Sequence, residues 1–137
     1  MGRILSIDYG QKRTGLAVTD PLRIIATALE TVDSEKLITY LENYFRKETV
    51  DEAIIGMPKN LRSQDSENAP RVRLFIELFK RKFPSIKITE VDERFTTTLA
   101  QRAMIEGGMK KKDRQVKGNA DKVSAVILLQ DYMRFTG

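Results

Sequence analysis

Arg3-Ile4-Leu5-Ser6-Ile7-Asp8-Tyr9-Gly10-Gln11-Lys12-Arg13-Thr14-Gly15-Leu16-Ala17-Val18-Thr19 is the stretch that decides how this chain folds. Arg3 to Tyr9 is a short apolar run rich in branched residues and stopped by Gly10, so it reads as a buried strand. Gln11-Lys12-Arg13 reads as a turn, and Thr14 to Thr19 returns as a second strand. Outward from this pair, the Asp20-Pro21 turn signal leads to a third strand over Ile24 to Val32. Three successive strands with short links predict an antiparallel meander.

The rest of the chain alternates. From Ser34 to Glu48, Leu37, Ile38, Leu41, Tyr44 and Phe45 fall at helical spacing, with Asp33 or Ser34 placed to act as N-cap. Glu52 to Met57 reads as a strand ended by Pro58, and a polar loop follows from Lys59 to Asn68. A second helix carries Val72, Phe75, Ile76, Leu78 and Phe79 and ends near Phe83-Pro84. Ile86 to Val91 forms a fifth strand and delivers Asp92-Glu93-Arg94 at its end. A third helix opens at Thr96 and is stopped by Gly107-Gly108, a basic run spans Lys110 to Lys117, and Asn119 caps a last helix over Ala120 to Phe135. Strand-helix alternation calls for parallel strands with helical crossovers. The expectation is an α/β fold: one domain over residues 1–137, with a mixed five-stranded sheet, three antiparallel strands then two parallel ones, flanked by helices.

Composition restricts the chemistry more than it restricts the fold. The 137 residues include no cysteine and no histidine. Disulfides, thiolate zinc sites, cysteine nucleophiles, imidazole bases and the Ser-His-Asp arrangement are therefore excluded. An enzyme built from this chain must use carboxylates, lysines, hydroxyls or a metal bound through oxygen, which suits magnesium, calcium or manganese. Lysine and arginine total 24 against 19 acidic residues, a net charge of +5, and that balance favours polyanionic partners. No signal peptide or membrane span can be drawn through the first residues, so a cytoplasmic protein without membrane attachment is expected.

Three carboxylates stand out. Asp8 ends an apolar strand ahead of Tyr9-Gly10, a position at the rim of a sheet where backbone can approach a ligand, although a turn aspartate would look the same. Glu93 lies just beyond another inner strand beside Asp92 and Arg94, where the bland reading is a surface salt-bridge cluster. Asp121 shares a helical stripe with Ala125, Leu128, Leu129 and Tyr132, and so lies along an inward face. Its bland reading is favourable interaction with the helix dipole. An inward carboxylate is costly unless it is paired or coordinated. If the three converge on one rim, their logic is that of two-metal hydrolysis, with ions roughly 3.5–4 Å apart activating water and steadying the leaving oxygen.

The strings Asp8-Tyr9-Gly10-Gln11-Lys12-Arg13-Thr14-Gly15-Leu16-Ala17, Gly56-Met57-Pro58, Asp92-Glu93-Arg94-Phe95-Thr96-Thr97, and Lys117 through Asp121 to Ser124-Ala125 resemble the YqgF (RuvX) family of Holliday junction resolvases. The resemblance covers nearly the whole chain, with the motifs in the family's order. It implies a ribonuclease-H-like fold, an acidic Mg2+ or Mn2+ site at Asp8, Glu93 and Asp121, and a bacterial cytoplasmic setting. It also implies action on nucleic acid: maturation of the 5′ end of pre-16S rRNA or, in some members, cleavage of branched DNA. One departure is visible, because the chain continues after Pro58 with Lys59-Asn60-Leu61-Arg62-Ser63-Gln64-Asp65 where the family has a glycine-containing turn.

Basic residues complete the expected interface. Lys12 and Arg13 lie in the turn after Gly10 and are candidates to hold a phosphate. Lys110, Lys111, Lys112, Arg114 and Lys117 read as a basic flap against the phosphate backbone, and Arg94 as a residue that orients Glu93 or the substrate. Both groups have solvated-surface alternatives. Two rival functions remain open at this stage: a phosphate-binding module of the actin or sugar-kinase type, which would need a dimer to build its cleft, and a non-catalytic RNA-binding assembly factor. The expected partner is structured RNA or branched DNA, bound by a monomer or a homodimer; cutting two strands symmetrically favours the dimer.

Overall fold

The protein is described from a computed structural model, over residues 2–57, 69–92 and 117–136. Five strands form one sheet: β1 (Arg3–Tyr9), β2 (Arg13–Thr19), β3 (Ala26–Asp33), β4 (Val50–Met57) and β5 (Lys87–Asp92). Their order is β3-β2-β1-β4-β5. β1 pairs antiparallel with β2, and β2 antiparallel with β3, while β4 lies parallel to both β1 and β5. The meander and the parallel pair therefore form as the sequence predicts, and β1 stands at the centre.

Strand alternation sorts the core into two faces. Leu5 and Ile7 of β1, Leu16 and Val18 of β2, and Ala53, Ile55 and Met57 of β4 pack on one face, against helices α1 (Leu37–Lys47) and α2 (Ala69–Lys82). Ile4, Ala17 and Ile54 point to the other face and meet Ala125, Leu128 and Leu129 of α3 (Lys117–Thr136). The central strands are covered on both sides, which explains their nearly continuous apolar sequence.

Several strand ends differ from the sequence reading by one or two residues, and three larger differences each have a local reason. The third strand starts at Ala26 and not at Ile24, because the Asp20 carboxylate takes the backbone N–H groups of Leu22, Ile24 and Ile25 at 3.2, 2.7 and 2.8 Å. Those bonds hold residues 20–25 as a loop and leave Leu22, Ile24 and Ile25 65%, 66% and 64% exposed. The first helix opens with a 3₁₀ turn over Ser34–Lys36 that has no side-chain cap; the Ser34 hydroxyl instead donates to the Gly10 carbonyl at 2.6 Å and contacts the Thr14 hydroxyl at 2.8 Å. The last helix begins at Lys117, so Asn119 lies inside it and is not its cap. Once Ala125, Leu128 and Leu129 anchor that helix, each upstream residue extends it at the cost of one residue's ordering for one hydrogen bond. The helix expected from Thr96 to Gly107 and the 59–65 loop lie outside the described residues.

Candidate active site

Because β1, β4 and β5 run parallel, their C-terminal ends share one rim of the sheet. Asp8 is the penultimate residue of β1 at that rim. Alternation places it with Ile4 and Ser6 on the face that α3 covers. Its register partner on β2 is Gly15. On β4, one residue beyond the Ile7–Ile55 pair, its neighbour is Gly56. Asp8 therefore stands in a row of the sheet whose adjacent positions on both sides carry no side chain.

The helix covering this face is held in axial register by a buried serine. The Ser6 hydroxyl donates to the Ala125 carbonyl at 2.8 Å, with Ser6 fully buried. Farther along α3, Tyr132 donates to the Glu52 carboxylate at the start of β4. Glu52 lies level with Ile4, and Ser6 with Ile54, so α3 runs antiparallel to β1. Asp121 precedes Ala125 by four residues, a rise of about 6 Å. Asp8 lies two residues beyond Ser6 on β1, about 6.6 Å in the same direction. The helix backbone at 121 thus comes level with Asp8 at the rim. Glu93, which follows the last residue of β5, lies outside the described residues. Among the described residues, no three acidic side chains sit close enough to hold a metal.

The β1–β2 turn at the same rim is rigidly built. A Cβ on Gly10 would overlap the Arg13 carbonyl oxygen, so this position accepts only glycine without a backbone shift. The Ser34 N–H donates to the Lys12 carbonyl at 2.9 Å, while the Lys12 side chain stays exposed. Arg13 opens β2 in the same alternation class as Gly15 and Ala17, on the α3 face with Asp8. Arg94, Lys110, Lys111, Lys112 and Arg114 lie outside the described residues. Lys117 does not belong to a loop, because the helix already begins there.

Sequence reasoning passed over Gly15, Gly56 and Ser6. Ser6 carried a usable signal, since a lone hydroxyl within an apolar strand must find a partner when buried. The glycines carried none, because their nearness to Asp8 depends on strand order.

Strand order and strand directions are those of the ribonuclease-H-like fold. Solved structures share the fold across the chain. A fowlpox virus resolvase, solved with Holliday junction DNA, superposes with a TM-score of 0.62 at 14% identity, covering 98% of each chain. RuvC of T. thermophilus, solved with a Holliday junction substrate, gives 0.58 at 16% identity, covering 98% of this chain and 96% of that one. In sequence, residues 2–135 match the model of the family described as RuvX, Holliday junction resolvase. The chain belongs to this family. Relatives in Parabacteroides distasonis and Flavobacterium johnsoniae are each 50% identical over 133 residues, covering 97% of this chain and 95% and 96% of theirs, and both are named as a pre-16S rRNA nuclease.

Proposed function

We propose that this chain is a divalent-metal-dependent nuclease that processes the 5′ end of pre-16S rRNA, with Asp8, Glu93 and Asp121 as the ligands of Mg2+ or Mn2+. The observation that carries this reading is the seat of Asp8 between Gly15 and Gly56, level with helix position 121. Thr89 and Val91 mark the α3-facing alternation on β5, and the next odd residue in the sequence is Glu93. The donor set is all oxygen and the chain has no imidazole or thiolate, which fits magnesium or manganese. When bound, such ions activate water and stabilise the leaving oxygen.

The chain's own residues have separate tasks. Asp8 anchors the site on the central strand, which is paired on both sides. Ser6 fixes how far α3 slides along β1, and so the separation of Asp8 from Asp121. Lys12 and Arg13 neutralise phosphate beside the cut, on a turn that Ser34 and Gly10 keep from deforming. Arg94, Lys110, Lys111, Lys112, Arg114 and Lys117 add backbone contacts. The relatives' name supports the RNA substrate, and one domain over residues 1–137, working as a monomer in the cytoplasm, suffices for trimming an end. No described helix is long and apolar enough to cross a membrane.

A second reading, cleavage of branched DNA by a homodimer, is favoured by the description of the family and by the two resolvases that share the fold. The discriminating experiment offers the pure protein a precursor rRNA fragment and a four-way DNA junction under identical magnesium and salt. The proposal expects the RNA to be cut at a defined 5′ end and the junction to be left intact. Symmetric cutting of the junction alone would transfer the assignment to resolution, and binding of RNA without cutting either substrate would leave an assembly factor.

A further inference from the structure

Helix α2 holds five basic residues, Arg71, Arg73, Lys80, Arg81 and Lys82, against one acid, Glu77. Its inner side is fixed by Val72, Phe75, Ile76 and Phe79, all buried. Lys82 reaches the Glu42 carboxylate of α1 at 3.9 Å, so the flank that carries Lys82 and Arg71 faces α1. Arg73 and Lys80, seven residues apart and thus about 10.5 Å along the axis, occupy the other flank, toward β5, and Arg81 is outermost. All three are exposed. Lys80 and Arg81 make no ion pair among the described residues, and Glu77 is the one acid of the helix against its five bases.

The helix is anchored at the rim that holds Asp8. Phe75 stacks on Tyr9 with ring centroids 5.0 Å apart, and Tyr9 is the residue after Asp8. Arg73 therefore stands near the rim, and Lys80 and Arg81 stand farther down the side of the sheet. α1 shows no such bias, with Glu42 set against Arg46 and Lys47. An excess of positive charge on one flank of a helix favours a polyanion alongside it.

We infer that the β5-side flank of α2, formed by Arg73, Lys80 and Arg81, is a second phosphate track that carries the nucleic-acid backbone away from the Asp8 rim. The inference rests on the proposed nuclease reading, which puts the cut at that rim. With about 3.4 Å of axis per charge on one strand, the stripe spans roughly three phosphates, so the ligand is a continuous arm and not only the nucleotides at the cut.

The test measures binding of the full chain to a stem-containing RNA of about 40 nucleotides in EDTA, so that nothing is cut, over a series of salt concentrations. Lys80→Ala with Arg81→Ala should flatten the slope of log affinity against log salt by about 1.4–1.8, at 0.7–0.9 per lost phosphate contact. Affinity for a four-nucleotide RNA and the cleavage rate at saturating long RNA should not change. Lys80→Arg with Arg81→Lys should restore the slope. Arg46→Ala with Lys47→Ala removes equal charge from α1 and should leave it largely intact. An unchanged slope in the α2 variant, or an equal fall in the α1 variant, would overturn the track. Asp8→Asn, assayed in parallel, separates the two claims: cleavage that survives this change removes the proposed site, and the metal-free binding result still stands or falls by itself.

Discussion

The two faces of the sheet are held by different means. Under α1 and α2 the core is aromatic: Phe45 meets Phe83 at 4.8 Å and Phe79 at 6.2 Å between ring centroids, Phe79 meets Phe83 at 5.0 Å, and Phe75 bridges Phe79 and Tyr9. Under α3 the packing among the described residues is thinner, from Ile4, Ala17, Ile54, Ala125, Leu128 and Leu129, and directed hydrogen bonds from Ser6 and Tyr132 supplement it. Apolar burial is non-directional and tolerates sliding, whereas a hydrogen bond to one carbonyl fixes position along the helix axis. The thin face is also the face of Asp8. The aromatic core and the proposed site thus lie on opposite sides of one sheet.

The largest expected effect comes from breaking the aromatic side. Phe79→Ala leaves a cavity among three rings and should cost about 3–5 kcal/mol in urea unfolding. Its magnesium midpoint for cleavage, measured on the folded fraction, should match wild type; a shifted midpoint would mean that the two faces are not separable. Ser6→Ala should cost less, about 1 kcal/mol, since Ala125 loses only a supplementary donor to its carbonyl. It should nevertheless raise the magnesium needed for half-maximal cleavage several-fold, and Ser6→Thr should recover part of the loss. An unchanged requirement would show that α3 keeps its register without Ser6.

The smallest effect is a pH dependence. Burial first, and then the hydrogen bond and charge of Glu52, push the Tyr132 hydroxyl above its usual value of 10.0. A raised folded-state value means that the contribution is fully present below pH 10 and is lost as pH climbs through the shifted value. Tyr40 and Tyr44 are raised as well, chiefly by burial. Wild-type Tm should therefore fall at strongly alkaline pH, and Tyr132→Phe should fall less steeply. Identical alkaline profiles would show that the Tyr132–Glu52 contact carries no stability.

How much of this was legible in the sequence follows from what each feature depends on. The five strands and their directions were readable because apolar runs and turn residues are local signals. Ile24 and Ile25 were misread as strand because branched residues carry a strand signal whatever their hydrogen bonding, and here the Asp20 side chain claims their N–H groups. Backbone bonds to Asp20, that to Ile25 foremost, hold its carboxyl below the usual 3.8, the mark of an anionic brace. Asp8 was legible as a strand-end carboxylate, but Gly15 and Gly56 beside it were not, since they become its neighbours only through β2-β1-β4 order. The basic flank of α2 escaped notice because its residues are scattered among core positions and form no run. Helical periodicity gathers them only after Lys82 and Glu42 show which flank faces α1.

The proposal that Asp8 and Asp121 hold a cation at the rim is tested most directly by thermal unfolding with and without magnesium. Close carboxylates repel in the apo protein, and a cation bound only by the folded state stabilises it. The account predicts that magnesium raises the Tm of the wild type. It predicts also that Asp8→Asn and Asp121→Asn each keep or raise the metal-free Tm while abolishing the magnesium increment, with no further loss when combined. Variants that lower the metal-free Tm and keep the full magnesium increment would contradict it, and would make both carboxylates structural.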